Sequence, residues 1–296
     1  MTHLTWNLLD DYRQLMSYPF MVNALRAGTI VAVVAGAIGY LMVLRRQSFA
    51  GHTLALIGFP GAAGATLLGL APTAGFFGFC IAGALVIAAL PGGRGAGSYT
   101  EEGAAIGTVQ AFALACGFLF VGLYKGFLSG LNNLLFGSIV GVSNQQVLVL
   151  LIAGAGCLAV LAALGRPLLF ATIDPAVAAA RGVPVRAVGA AFLVLLGVAA
   201  AGTSQVTGSL LVFALLVAPA ATATRLTARP LAGLVLSVCL ALLVTWLGEA
   251  AAYFSVYPIG FWVTSFAFAL YLAATGYRAL ADRRGPRPAR AAAVAA

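Results

Sequence analysis

Nine runs of predominantly apolar residues, each about the length of a bilayer-crossing helix, follow one another along this chain. A hydrocarbon core of ~30 Å calls for about 20 helical residues per crossing, so each run is closed where Gly, Pro or charge interrupts it. The pattern predicts helices from Phe20 to Leu44, Phe49 to Leu70, Ala74 to Leu90, Gly103 to Tyr124, Gln145 to Leu164, Val188 to Ser204, Gly208 to Leu226, Leu231 to Tyr253 and Ile259 to Tyr277. The expected fold is all-α: a polytopic transmembrane bundle of about nine spans, with eight as the alternative count, in a single domain over residues 1–296. Within residues 1–19, Leu4 to Leu15 mixes Trp6, Leu8, Leu9 and Tyr12 with Asp10, Asp11 and Arg13. That mixture suits a short helix lying on the membrane surface and does not read as a cleavable signal peptide.

Composition agrees with a membrane solvent. The 296 residues are 62% hydrophobic and 8% charged, where an ordinary soluble domain carries roughly a quarter charged residues. A bilayer takes the place of the polar shell a soluble core would need, and asks for charge only at its two faces. The net charge of +9 reports topology and not a nucleic-acid partner, because the arginines fall between the apolar runs. Arg45, Arg46, Arg94, Arg166, Arg181, Arg186, Arg225, Arg229, Arg278, Arg283, Arg284, Arg287 and Arg290, 13 of the 16 basic residues, share one face. The other face keeps Arg13 and Lys125, with Arg26 inside the outer end of the first span. By the positive-inside rule the N-terminus is expected outside and the C-terminus inside, with residues 279–296 a basic cytoplasmic tail. The chain is expected in the plasma (inner) membrane. Cys80, Cys116, Cys157 and Cys239 lie singly in apolar runs and read as packing residues.

Chemistry is sparse. His52, near the inner start of the second span, and Glu249, in the outer half of the eighth, are candidate contacts for a metal in transit. Each also reads as an interfacial residue. Pro60 with Gly61, Pro219, and Pro258 with Gly260 are expected to break helices along a pathway. Leu56–Thr66 and Leu215–Thr224 are faintly alike around Pro60 and Pro219, through duplication or through chance in Ala-rich text. Two histidines cannot supply an HExxH pair, and Gly92, Gly93, Gly95 and Gly97 lack the Lys-Ser/Thr of a phosphate loop. The chain is therefore not expected to be an enzyme, and any ATP hydrolysis belongs to a separate polypeptide.

The segment 165–187, GRPLLFATIDPAVAAARGVPVRA, writes a short helix punctuated at both ends. Asp174 can cap its first turn, Pro175 is preset for the first helical position, and Ala176 to Arg181, including Ala178, favours helix. Gly182 suits a left-handed terminal residue, and Pro184 stops the helix from resuming. A capped helix on the cytoplasmic face is what a permease needs to dock on a motor subunit; a plain interhelical turn is the other reading.

Four segments resemble the zinc and manganese permease family of ABC importers, in order, within a likeness running from about Ala24 to Leu272. They are LRRQSFAGHTLALIGFPGAAGA (Leu44–Ala65), LLFGSIVGVS (Leu134–Ser143), IDPAVAAARGV (Ile173–Val183) and LLVAPAATA (Leu215–Ala223). The resemblance implies a homodimer of permeases on a cytoplasmic ATPase dimer that uses ATP and magnesium. It also implies an extracytoplasmic metal-binding protein and alternating access for zinc, manganese or iron, with no cofactor in this chain. The family's second span carries Asp and His that meet the metal; here those positions are His52 and Leu56. Nitrogen is kept and oxygen lost, which leans from manganese toward zinc. Ala176 stands where the family often has Glu. An ion-coupled secondary transporter would show more intramembrane carboxylates than Glu249, and a membrane enzyme would show clustered catalytic groups.

Overall fold

The computed structural model describes residues 13–14, 16–90, 98–124, 141–208 and 212–284, and these residues hold helices and no strands. In chain order they are α1 (Pro19–Leu44), α2 (Ser48–Leu67), α3 (Pro72–Ala89), α4 (Ser98–Leu123), α5 (Asn144–Ile173), α6 (Pro175–Ala180), α7 (Val185–Thr207), α8 (Val212–Leu226), α9 (Pro230–Tyr253) and α10 (Ile259–Arg284). Each of the nine predicted runs overlaps one helix of 15 residues or more. Seven of them (α1, α3, α4, α5, α7, α9 and α10) are long and apolar enough to cross a membrane, while α8 is a shorter apolar helix. Of the predicted surface segment at 4–15 only residues 13 and 14 are described, and of the predicted tail at 279–296 residues 279–284 instead continue α10 while the rest lies outside the described residues.

Local chemistry sets the ends. Pro19, Pro72, Pro175 and Pro230 open α1, α3, α6 and α9, where a missing N–H costs nothing because the first turn has no intrahelical partner for it. Ser143 caps α5 by accepting from the Gln146 N–H at 3.2 Å. Two expectations need correcting. The fifth span does not stop at Leu164: α5 runs through Pro167 to Ile173. At 1.5 Å per residue it is about 45 Å long and outreaches the hydrocarbon core. Nor are Pro60 and Pro219 interruptions, since α2 and α8 continue through them. Each removes one N–H from the ladder without ending a helix whose neighbours hold it in place.

In the bundle α1 and α7 form the middle. Against them lie α2 and α3, with α4 outside α2; on the other flank α8 and α9 cover α1, with α10 behind them, and α5 fills between α1 and α7. The core cluster runs through Ile38, Leu54, Phe192, Leu196, Leu215 and Val244. Helices approach closely at small residues: Gly61 of α2 lies against the backbone of Gly75 on α3 and Gly39 of α1 against that of Leu216 on α8. With lipid tails as apolar as leucine, close backbone packing carries much of the association.

Candidate functional site

α2 is enclosed by α3, α4, α7 and α8. Between Ala50 and Ala65 every residue on it is buried except His52 and Leu56. One helical turn apart, these two form a single half-open stripe. The His52 ring meets Phe213 of α8 edge-on, with centroids 5.1 Å apart, and has no hydrogen bond to the protein among the described residues. Next to it the buried Thr53 hydroxyl donates to Gln110 Oε1 of α4 at 2.8 Å, which fixes the rotation of α2 against α4. Pro60 lacks the N–H that would bond the Leu56 carbonyl, so a backbone oxygen without its helical donor stands one turn beyond the imidazole. The stripe thus offers one imidazole, a donor that a metal ion can visit without being held tightly.

Glu249 sits elsewhere. It is fully buried on α9, its carboxylate lies against Gly28 of α1, and neither oxygen has a hydrogen-bond partner among the described residues. A side chain at position 28 would collide with that carboxylate. The two candidates are not brought together. Gly51, beside His52, touches Met42 of α1, whereas Glu249 touches Gly28, and fourteen residues of α1 separate those levels by about 20 Å. No group of three His, Cys, Asp or Glu that could hold a metal occurs among the described residues. Pro60 and Gly61 are buried at the α2–α3 contact and Pro219 is buried in α8. Pro258 is exposed just before α10, and Gly260 is buried in its first turn.

At the far end of α5 the short α6 has the predicted punctuation. Asp174 Oδ1 accepts from the Val177 N–H at 2.9 Å and Pro175 occupies the first turn. Gly182 has φ +83°. The Val183 N–H bonds the Ala178 carbonyl and the Gly182 N–H bonds that of Ala179, both at 3.0 Å, which closes the helix with paired terminal carbonyls. Ala178 is its one buried residue, while Ala176, Val177, Ala179, Ala180 and Arg181 are exposed. The result is a rigid knob held from beneath.

Sequence reasoning missed the clasp beside this knob. Arg45 donates to Gln47 Oε1 at 3.0 Å and to Thr172 Oγ1 at 3.1 Å, and its guanidinium lies 5.3 Å from the Phe192 ring centre. It thereby ties the ends of α1, α5 and α7 together. Burial pushes its pKa down from the ordinary arginine value. Arg46 follows with φ +57°, a sparsely allowed backbone for a side-chain-bearing residue, in the tight turn from α1 to α2.

A family profile described as the ABC 3 transport family matches residues 17–278. The manganese transport system membrane protein MntC of Halalkalibacterium halodurans is 32% identical over 251 residues, covering 84% of this chain and 83% of that protein. The chelated iron transport system membrane protein YfeC of Yersinia pestis is 28% identical over 253 residues, covering 86% and 83%. A solved structure of PsaBC from Streptococcus pneumoniae in complex with Fab contains a chain similar to this one. It has a TM-score of 0.80 and 27% identity, over 90% of this chain and 95% of that one.

Proposed function

This chain belongs to the ABC 3 transport family, and from that premise we propose that it passes manganese across the plasma membrane by alternating access, driven by ATP hydrolysed on a partner. It is a multi-pass plasma-membrane protein and the permease subunit of an ABC metal importer. The observation that carries the manganese reading is the likeness, over 84% of this chain, to a protein named for manganese transport. That likeness ranks manganese ahead of the zinc expected from the residues at positions 52 and 56. Zinc stays as the second reading because an imidazole stands where the family places a carboxylate, and nitrogen donors suit zinc better than manganese.

The reading includes a second permease copy, a cytoplasmic ATPase dimer with ATP and magnesium, and an extracytoplasmic metal-binding protein. It takes the nine helices other than α6 as nine spans, N-terminus outside. His52 meets the ion in passage, and α6 meets the ATPase. The support for α6 is its shape: five exposed residues on a doubly capped turn anchored only at Ala178. Vesicles holding the chain with its ATPase and binding protein should take up manganese only with ATP. Preferential zinc uptake would establish the second reading, and uptake driven by an ion gradient without ATP would point to a secondary transporter.

Asp174→Ala should remove the cap at a cost of about 1 kcal/mol to the local helix. ATP-driven uptake should fall while docking of the binding protein on the opposite face is kept. Wild-type uptake in a correctly inserted variant would reject α6 as the motor contact.

A further inference from the structure

Arg26 is exposed and has no partner among the described residues, although it is the eighth residue of α1, about 10 Å along the helix from Pro19. An uncompensated guanidinium at that depth is expensive. It lines a groove of about 920 Å³ between α1, α5 and α9, whose walls include Val22, Leu25, Val147, Leu151 and Trp246. The groove is at the upper end of the ~300–1,000 Å³ typical of ligand pockets. The indole wall is fixed, because Trp246 Nε1 donates to Thr29 Oγ1 of α1 at 3.0 Å.

No described acid of this chain answers the charge. The chain has seven acids: Asp10, Asp11, Glu101, Glu102, Asp174, Glu249 and Asp282. Glu249 is sealed against Gly28, which lies two residues and so about 200° around α1 from Arg26. Asp174 follows the opposite end of α5 from Val147, and Glu101 and Glu102 belong to α4, which packs chiefly against α2. Asp282 is in the last turns of α10, at the other end of the bundle from its start at Ile259. Residues 10 and 11 are outside the described chain.

At the same end of α1, Tyr18 packs at a tilt against Phe20 and Tyr253, and Tyr253 edge-on against Phe254. Aromatic residues of this kind collect at headgroup level, and Tyr18 is eight residues, about 12 Å along α1, from Arg26. We propose that this groove binds an anionic phospholipid, its phosphate drawn onto Arg26 and an acyl chain laid along the apolar walls. The long arginine stem lets the charge rise toward the headgroup layer while its methylenes stay in the groove. The proposal rests on membrane residence and not on which metal is carried.

Native mass spectrometry of the delipidated full chain, titrated with phosphatidylglycerol and with phosphatidylcholine, tests it. Wild type should retain phosphatidylglycerol about fivefold better, as roughly 1 kcal/mol for one arginine–headgroup contact implies. Arg26→Gln should lose that preference and Arg26→Lys should keep it. Leu151→Trp, which fills the groove without touching the charge, should lower retention of both lipids. Equal retention of the two lipids by wild type, or an unchanged preference in Arg26→Gln, would overturn the site. So would a disulfide-linked dimer from Leu151→Cys in a chain whose native cysteines are replaced, because the groove would then be a seam between copies.

Discussion

Gly39→Ala should leave little properly assembled protein. The α1 face that carries Gly36 and Gly39 meets α9 and α8 at backbone distance. A methyl group at 39 would strike the Leu216 carbonyl, and one at 36 would come within 2.7 Å of the Val238 Cα. The Ser237 hydroxyl donates to the Gly36 carbonyl at 2.8 Å across the same seam, so the helices cannot separate without losing that bond. Ordinary overpacking costs about 1–3 kcal/mol because side chains can turn away. Here the obstacle is backbone in two packed helices, so the loss should exceed about 3 kcal/mol. For a protein of this size that is a fall of about 5 °C or more in unfolding temperature. Thermal unfolding of detergent-purified variants measures it. Gly78→Ala and Gly276→Ala, where an added methyl meets nothing within 4 Å, should stay near wild type. An equal fall in those controls would show that α1 has no special seam.

What the sequence made legible was what depends on neighbours in the chain. An apolar run of about 20 residues ends where Pro, Gly or Arg stands, whatever it packs against, so nine helix positions could be read directly. Asp174, Pro175 and Gly182 cap α6 through bonds spanning only a few residues, and those too were readable. Other features depend on partners distant in sequence. Gly28, Ala32 and Gly36 at four-residue spacing were the visible trace of the α1 seam, but small residues are common in this chain and the trace does not say which helix they meet. Pro60 and Pro219 looked like breaks because one missing N–H disfavours a helix locally; burial of α2 and α8 among neighbours outweighs it. The end of α5 was misplaced because Arg166 and Pro167 resemble a boundary. The helix continues past the bilayer, with Arg45 bonded to Thr172 near its tip. Glu249 was readable as an intramembrane acid, but its enclosure against Gly28 requires knowing that α1 and α9 are partners.

His52→Ala and Glu249→Gln should separate sharply in metal uptake. Among the buried positions of α2, His52 is on the half-open stripe, braced by Phe213 and free of protein hydrogen bonds among the described residues, so its ring nitrogens are available to a passing ion. Loss of a group that merely orients a metal ligand typically costs 10–100-fold in affinity or activity, so removing a ligand itself should lower uptake roughly tenfold or more. Glu249 has the stronger ligand chemistry but the wrong surroundings: it is shut in by Gly28, about 20 Å along α1 from the level of His52, and belongs to no group of three metal-ligating side chains among the described residues. Glutamine keeps its shape and removes a charge that would be costly in a sealed apolar site. Glu249→Gln should therefore fold at least as well as wild type and keep uptake within about twofold, less than the tenfold that 1.4 kcal/mol represents. ATP-driven uptake of manganese and zinc by both variants, in vesicles with the partner subunits, decides between the sites. Full activity in His52→Ala with loss in Glu249→Gln would move the pathway to the α1–α9 seam, and would mean that those helices part during transport to admit the ion.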